Sequence, residues 1–596
     1  MTFRPDRRLL ALVLLACALP ALAAPGADPL ADAREAIAAR DGIAAEVAAR
    51  KALAEGASQE AVAAYMGEAL ALQDRTGDAL HWLEPGEFDA ASAERGFRAL
   101  GRIKASRNAF DEAFDAYDKA LAANPKSAGT WVDIARLRYR SGEQHVVRAT
   151  VARALQIDPR EPDALAMQAQ LVRDADGLVA SLPWFERALD MAPGNVALMG
   201  DYAATLGEVG RYADMLTVVR GMTKLDPKYA QSYYLQAVLA ARAGQNDLAR
   251  RLLWRASEVV DETPAALVLE GVLDFRSSRA SLAVEKFDRV VRQQPDNERA
   301  IVLLARALMA SGSAAEATDW LLPLARRATA SPYVLTLLGR AYEQQGDRAQ
   351  AAIWLDRAAR PPEDGVETMD LDAGDELALY RFAGNPDHPG AAVARLRSLV
   401  AGRKFAEASD FAAHVNDRYK GSIDIETLIG DSALLAGKPG PAMTAYQHAA
   451  QVRRNTALVE RMIWAMRAAR RPDAARDLLA IASTQDPQDA SLVALAGRQA
   501  AEDGDWPRAA SVLQRAVALG RSRDARLLGE LAEVKLRTGD EAGALEDSRR
   551  AYALQRWNPR VAQVYARALQ ASDGKGAQAL LAKARRGGAD TALALR

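Results

Sequence analysis

The segment Glu94–Ser106, ERGFRALGRIKAS, shows how this chain distributes its apolar and polar positions. Phe97, Leu100 and Gly101 fall on one face of a helix, and Arg95, Arg98 and Arg102 on another. A second segment follows with Ala113, Tyr117 and Ala120 at helical spacing, and Pro125 closes it. The pattern then returns. Pro125, Pro159, Pro193 and Pro227 are spaced by 34 residues, and the next two steps land on Asp261 and Pro295. Gly210, Gly244, Gly312 and Gly346 stand between the two apolar segments of their units, where a turn is required. The periodicity predicts helix–turn–helix units of about a dozen residues per helix. No such unit buries its apolar faces alone, so the units must stack.

Counted from Glu94, the unit holds Phe97, Leu100, Gly101, Ala113, Tyr117, Ala120 and Pro125 at positions 4, 7, 8, 20, 24, 27 and 32. The next unit supplies Trp131, Ala154 and Pro159, and the unit from Pro332 supplies Leu335, Leu338, Gly339, Tyr342, Ala351 and Ala358. This pattern resembles the tetratricopeptide repeat. The resemblance implies an all-α fold, a superhelical solenoid of helix–turn–helix repeats. Small residues at positions 8 and 20 are expected where the two helices meet, and large ones at 4, 7, 11 and 24 between neighbouring units.

The register extends back to Glu60, with Gly67 and Ala79 at positions 8 and 20, and residues 24–59 are expected to cap the array. It breaks after Ala358. Residues 364–388 read as an irregular acidic connector: Pro361, Pro362, Pro386 and Pro389 mark the region, and seven acids lie between Glu363 and Glu376. Gly430 with Ala442, Gly497 with Ala509 and Ala532 with Ala544 resume the register, and Pro559–Arg586 ends it. Two arrays are therefore expected, 60–363 and 389–596.

The N-terminus changes the setting. Arg4, Arg7 and Arg8 precede the apolar run Leu9–Leu19, and Ala21-Leu22-Ala23 matches a signal-peptidase site, so 1–23 reads as a cleaved export signal. Cys17, in Leu14-Leu15-Ala16-Cys17, offers a lipoprotein anchor as the alternative, with a shorter apolar run before it. Export to a periplasm is expected. No transmembrane span is expected after cleavage, because no later stretch of about 18 apolar residues follows.

Composition narrows the function. A formal net charge of −1 argues against a nucleic-acid partner. The five histidines (81, 145, 388, 414 and 448) are scattered, and with a single cysteine they form no zinc pattern. No phosphate-binding loop, nucleophile elbow or dinucleotide fingerprint occurs. Asp370–Glu376, DLDAGDE, begins like a calcium loop, but its twelfth position is Arg381, and it reads as an acidic turn. No catalytic residue, metal or cofactor is expected, and the chain reads as a non-enzymatic scaffold.

The resemblance also implies that unit positions 2, 5, 9, 12 and 13 of each first helix line a concave groove. Here these are Arg95, Arg98 and Arg102, then Arg136, Tyr139 and Arg140, then Arg173, Tyr234 and Arg242. Phe275, Arg276, Arg299, Arg306, Tyr333 and Arg340 complete the row. Eleven arginines stand against four acids, Asp163, Asp174, Glu208 and Glu343. Arginine's planar fork suits carboxylates, and the aromatic residues add contact area. A protein or acidic peptide is the expected partner, with an anionic glycan as the alternative. Reversing Arg98, Arg102, Arg136 and Arg140 to Glu is expected to abolish binding without unfolding the array. An Arg-rich composition would leave the same row without any ligand.

Overall fold

A computed structural model describes residues 30–327, 330–359, 375–386, 388–418 and 421–586. Among these residues all regular structure is helical, thirty-three α-helices and one π-turn, in consecutive antiparallel pairs. The chain is an all-α solenoid. The export signal, Cys17 and the acidic turn at 370–374 lie outside the described residues.

The pairing of two helices rests on one contact. Gly101, on the helix Ala93–Ser106, lies against the ring of Tyr117 on the helix Phe110–Ala123, and a Cβ at Gly101 would sit 2.5 Å from that ring. Gly271 meets Phe287, Gly339 meets Leu355, Gly430 meets Tyr446 and Gly497 meets Leu513 at the same offset. The large residue at position 24 fills the space over position 8 of its own unit and also packs against the next unit, as Tyr117 does with Ile134 and Leu137. The small residues at position 20, among them Ala113, Ala351, Ala442 and Ala509, are buried beside it.

Two kinds of turn set the period. Between the paired helices the chain passes through a left-handed residue. Gly312 takes φ 92°, and the following Ser313 N–H donates to the Leu308 carbonyl at 2.8 Å, which satisfies a helix-end acceptor. Between units, the Ser127 N–H donates to the Asn124 carbonyl at 3.2 Å across a turn whose second residue is Pro125. The turns at Pro159, Pro193, Pro227, Pro295 and Pro487 close in the same way. The first helices of three late units begin at Thr456, Ala490 and Ala525, so the second step is one residue longer. The π-turn Val517–Arg521 absorbs that residue, with Gly520 at φ 117°.

The chain divides into two compact units, residues 1–137 and 138–596, with the boundary inside the helix Ala128–Ser141. In the first, the helices Ala31–Ala38 and Gly42–Ala54 pack on a core of Val62, Tyr65, Met66, Leu83 and Ile103. In the second, the largest core gathers Leu267, Phe287, Leu304, Leu321 and Leu338. The second array starts earlier than its proline register implied. Asp375–Gly384, assigned to an irregular connector, is a helix: Ala378 is buried, and Phe382 meets Phe411 edge-on at 4.9 Å. Its apolar residues at i and i+4 outweigh the flanking acids and prolines.

Gly430→Val should force a branched side chain into the ring of Tyr446 and lower stability by about 1–3 kcal/mol. Gly312 has no heavy atom within reach of a Cβ, so Gly312→Ala tests backbone strain alone and should cost about 1 kcal/mol. Urea unfolding of the full chain measures both. An unchanged midpoint for Gly430→Val would mean that the close contact does not fix the pair.

Candidate functional site

In the first unit the arginines at 95, 98 and 102 serve neighbouring helices. Asp133 sits on the helix Ala128–Ser141 with its side chain 3 % exposed. Its Oδ2 accepts from Arg98 Nε at 2.5 Å and Arg102 Nε at 2.9 Å, and Arg136 approaches its Oδ1 at 3.4 Å. The Arg98 guanidinium lies where a side chain at residue 129 would stand, and glycine leaves that space open. Arg95 pairs with Glu68 at 2.5 Å and lies over the Tyr65 ring. Burial works to lower the Arg102 pKa, but the adjacent Asp133 outweighs it and holds the guanidinium above its usual value. Burial also pushes the Tyr117 hydroxyl up, so the ring beside Gly101 stays neutral.

At the start of the second unit the row is paired as well. The Tyr139 hydroxyl donates to Asp174 at 3.2 Å, and burial pushes its pKa up. Arg173 donates to Glu208 at 2.7 Å and to Thr205 at 3.3 Å, and Arg140 is engaged too. At the far end of the first array Arg340 pairs with Glu343. Three of the acids counted against the row are thus partners of its members.

The stretch between these ends differs. It is formed by the helices Ala230–Arg242, Pro264–Arg276 and Glu298–Ser311. Among the described residues no carboxylate comes within 4.0 Å of Arg242, Arg276, Arg299 or Arg306. Arg242 donates to the Tyr212 hydroxyl at 2.7 Å, and Arg276 to the Ala241 carbonyl at 2.7 Å. Arg306 lies 5.3 Å from the Phe275 ring centroid, with its Nε buried and lacking an acceptor. Arg299 is exposed. The same three helices carry the half-buried side chains of Tyr234, Val268, Val272, Phe275 and Val302. Burial alone pushes the Tyr234 hydroxyl up. Four cations with no carboxylate partner among the described residues thus stand on helices that also carry half-buried apolar and aromatic side chains.

Comparison with known proteins then fits the repeat geometry. A tetratricopeptide-repeat family profile matches residues 275–339, which fall across this stretch. The TPR repeat-containing protein YpiA of Bacillus subtilis (strain 168) is 26% identical over 157 residues. The chain carries a tetratricopeptide-repeat region. The match to YpiA spans 26% of this chain and 37% of that relative's length. Among solved structures, the APC/C hetero-tetramer Cut9–Hcn1 aligns with 94% of this chain and 92% of its own, at 12% identity and a TM-score of 0.39. YrrB, described as a TPR protein with an unusual peptide-binding site, aligns with 29% of this chain and 90% of its own, at 18% identity and a TM-score of 0.24. The matched repeat is of a kind that serves as a scaffold for protein–protein interaction.

In the tetratricopeptide frame, sequence reasoning missed the acids that hold the row. Asp133 stands at position 6 of its unit, outside the five groove positions, and Glu68 stands at position 9 of the unit from Glu60, ahead of the first unit counted, so the count passes over both. The available signal was a charged residue between two apolar ones, Val132 and Ile134. The second array repeats the device. Asp431 accepts from Arg461 at 2.8 and 3.0 Å and from Tyr446 at 2.6 Å, and Glu533 accepts from Arg567 at 2.6 Å. Among the described residues no cluster of His, Cys, Asp or Glu is arranged to hold a metal, and no helix is long and apolar enough to cross a membrane.

Asp133→Ala would leave Arg98 and Arg102 without their carboxylate and should destabilise the chain by about 3–5 kcal/mol in urea unfolding. Arg136→Ala removes a longer contact from a half-exposed side chain and should cost under about 1 kcal/mol. Reversing Arg98 and Arg102 to Glu would place carboxylates against a buried one, so that change tests the fold and not the groove.

Proposed function

We propose that the chain is an exported, non-enzymatic scaffold that binds a protein partner in the cell envelope through the stretch 230–311. The observation that carries this reading is the contrast along the row. Elsewhere its arginines are largely paired with acids of adjacent helices, while Arg242, Arg276, Arg299 and Arg306 have no carboxylate among the described residues. Cations on the helices that carry Tyr234, Val272 and Phe275 fit an extended peptide with both acidic and apolar side chains. The partner's carboxylates would meet the guanidinium groups, and its apolar residues would cover those side chains. An anionic glycan would use the arginines and leave the valines uncovered, so the peptide is the better fit. The basic start, apolar run and Ala-Leu-Ala site at the N-terminus support export.

Arg299→Glu with Arg306→Glu separates binding from folding, because neither residue has an ion pair to lose. Affinity for a fluorescent peptide of mixed Glu and Phe should fall at least about 100-fold, roughly 2.7 kcal/mol. Binding by the unaltered chain should also weaken steeply with salt. Unchanged affinity in the double variant would defeat the groove reading, as would stronger binding to an acidic polysaccharide than to the peptide. Mass spectrometry of protein from the producing cell tests the export reading. A chain beginning at Ala24 or Pro25 is expected. A lipid-modified Cys17 would replace free export with anchoring, and an intact Met1 would overturn export.

A further inference from the structure

Within the second compact unit the second array contacts the first along several inter-repeat turns, and at two of these contacts one array caps a helix of the other. The helix Leu178–Met191 has Gly177 at its N-cap and no capping side chain of its own. Its first-turn amides are satisfied from the second array: the Leu178 N–H donates to Asp486 Oδ1 at 3.1 Å, and the Ala180 N–H to Gln485 Oε1 at 2.7 Å. Beside them the Arg454 N–H donates to the Asp174 carbonyl at 2.8 Å, and the Arg454 guanidinium to the Asp176 carbonyl at 2.5 Å. Gly177, at φ 113°, lets this contact close, since a Cβ there would lie 2.5 Å from the Gln485 Cβ.

The second place reverses the roles. Arg340 donates to the carbonyls of Ala553 and Leu554, the last residues of the helix Glu541–Leu554, at 2.8 and 2.9 Å. A cation on the exposed carbonyls of a helix C-terminus is favourable on both hydrogen-bonding and dipole grounds. Beside it runs a buried polar chain, from Asn558 to Gln555 at 2.8 Å and from Gln555 to Thr336 at 3.0 Å. Thr336 and Arg340 occupy positions 5 and 9 of their repeat, the same positions that line the groove elsewhere.

We infer that the second array is an internal occupant of the first, a clasp that closes the groove end formed by Pro332–Gln344 and that a partner must displace to reach Arg340. The displacement rests on the proposed groove; the clasp does not. Both ends hold charged or polar groups whose partners come from the other array, so opening one end frees the second array to leave the other. The two ends therefore open together.

Peptide-level hydrogen exchange on the full chain tests this. Arg340→Ala should raise exchange at 553–558 and also, at least about tenfold, in the fragments carrying Leu178, Ala180 and Arg454, although the substitution touches none of them. Gln485→Ala with Asp486→Ala should produce the reciprocal rise at 553–558, which guards against a local unfolding effect of either variant. Exchange that rises only beside each substitution would overturn the clasp. In a second arm, the mixed Glu and Phe peptide is added to the unaltered chain. Binding accompanied by faster exchange at 553–558 supports displacement. Binding with no change there overturns displacement while leaving the groove intact. No binding at all refutes the groove reading and displacement together, and the variant measurements still decide the clasp.

Discussion

The rest of the architecture depends on a glycine lying against a large side chain. Where Gly101 meets Tyr117, or Gly430 meets Tyr446, the two helices of a repeat approach closely enough for ring and backbone to touch. That approach sets how the pair is inclined, and so which faces remain for the neighbouring pair. The turn residues follow from it. A left-handed residue reverses the chain between the paired helices, and a proline turn redirects it to the next unit. Where one step is a residue too long, a π-turn restores the phase, so the side-chain contact has priority over the backbone regularity.

Electrostatics is built onto this frame. First helices of successive repeats lie side by side, and an acid from one repeat reaches arginines of an adjacent one, as Asp133 does with Arg98 and Arg102 or Glu533 with Arg567. A carboxylate as buried as Asp133 or Glu533 must be paired, and removing its partner costs more than the pair contributes. Each such pair therefore fixes register between repeats more than it adds net stability. The stretch 230–311 departs from this rule, because its helices carry half-buried apolar side chains and its arginines have hydroxyl, carbonyl or ring neighbours in place of acids. Uncompensated charge beside apolar surface is a poor arrangement for stability alone, which is why it is the place to seek a ligand.

The repeat itself could be read from the chain, because glycine, alanine and aromatic residues recur at fixed offsets and each offset has one steric meaning. The arginine row could be read as a row for the same reason. What could not be read is its pairing. Asp133 occupies position 6, to which the register assigns no role, and nothing in the local pattern says that a carboxylate there faces two arginines from the preceding repeat. The helix Asp375–Gly384 escaped for a different reason: prolines and acids around it carry strong turn signals, while its burial depends on Phe411 in a later helix. Local propensity ranks lower than a tertiary contact of that kind.

The contacts between the two arrays are the least legible feature, and they alter the physics most. A solenoid held only by neighbouring repeats gains stability step by step and can fray from either end. Here Asp486 caps a helix that starts at Leu178, and Arg340 caps one that ends at Leu554, so residues far apart in sequence share hydrogen bonds. Gln485 and Asp486 look like ordinary turn residues, since the orphan amides they satisfy belong to another array. Because each array completes helix ends of the other, the second unit cannot be treated as a sum of nearest-neighbour terms. A chain of repeats that is closed on itself in this way gains cooperativity that an open array lacks.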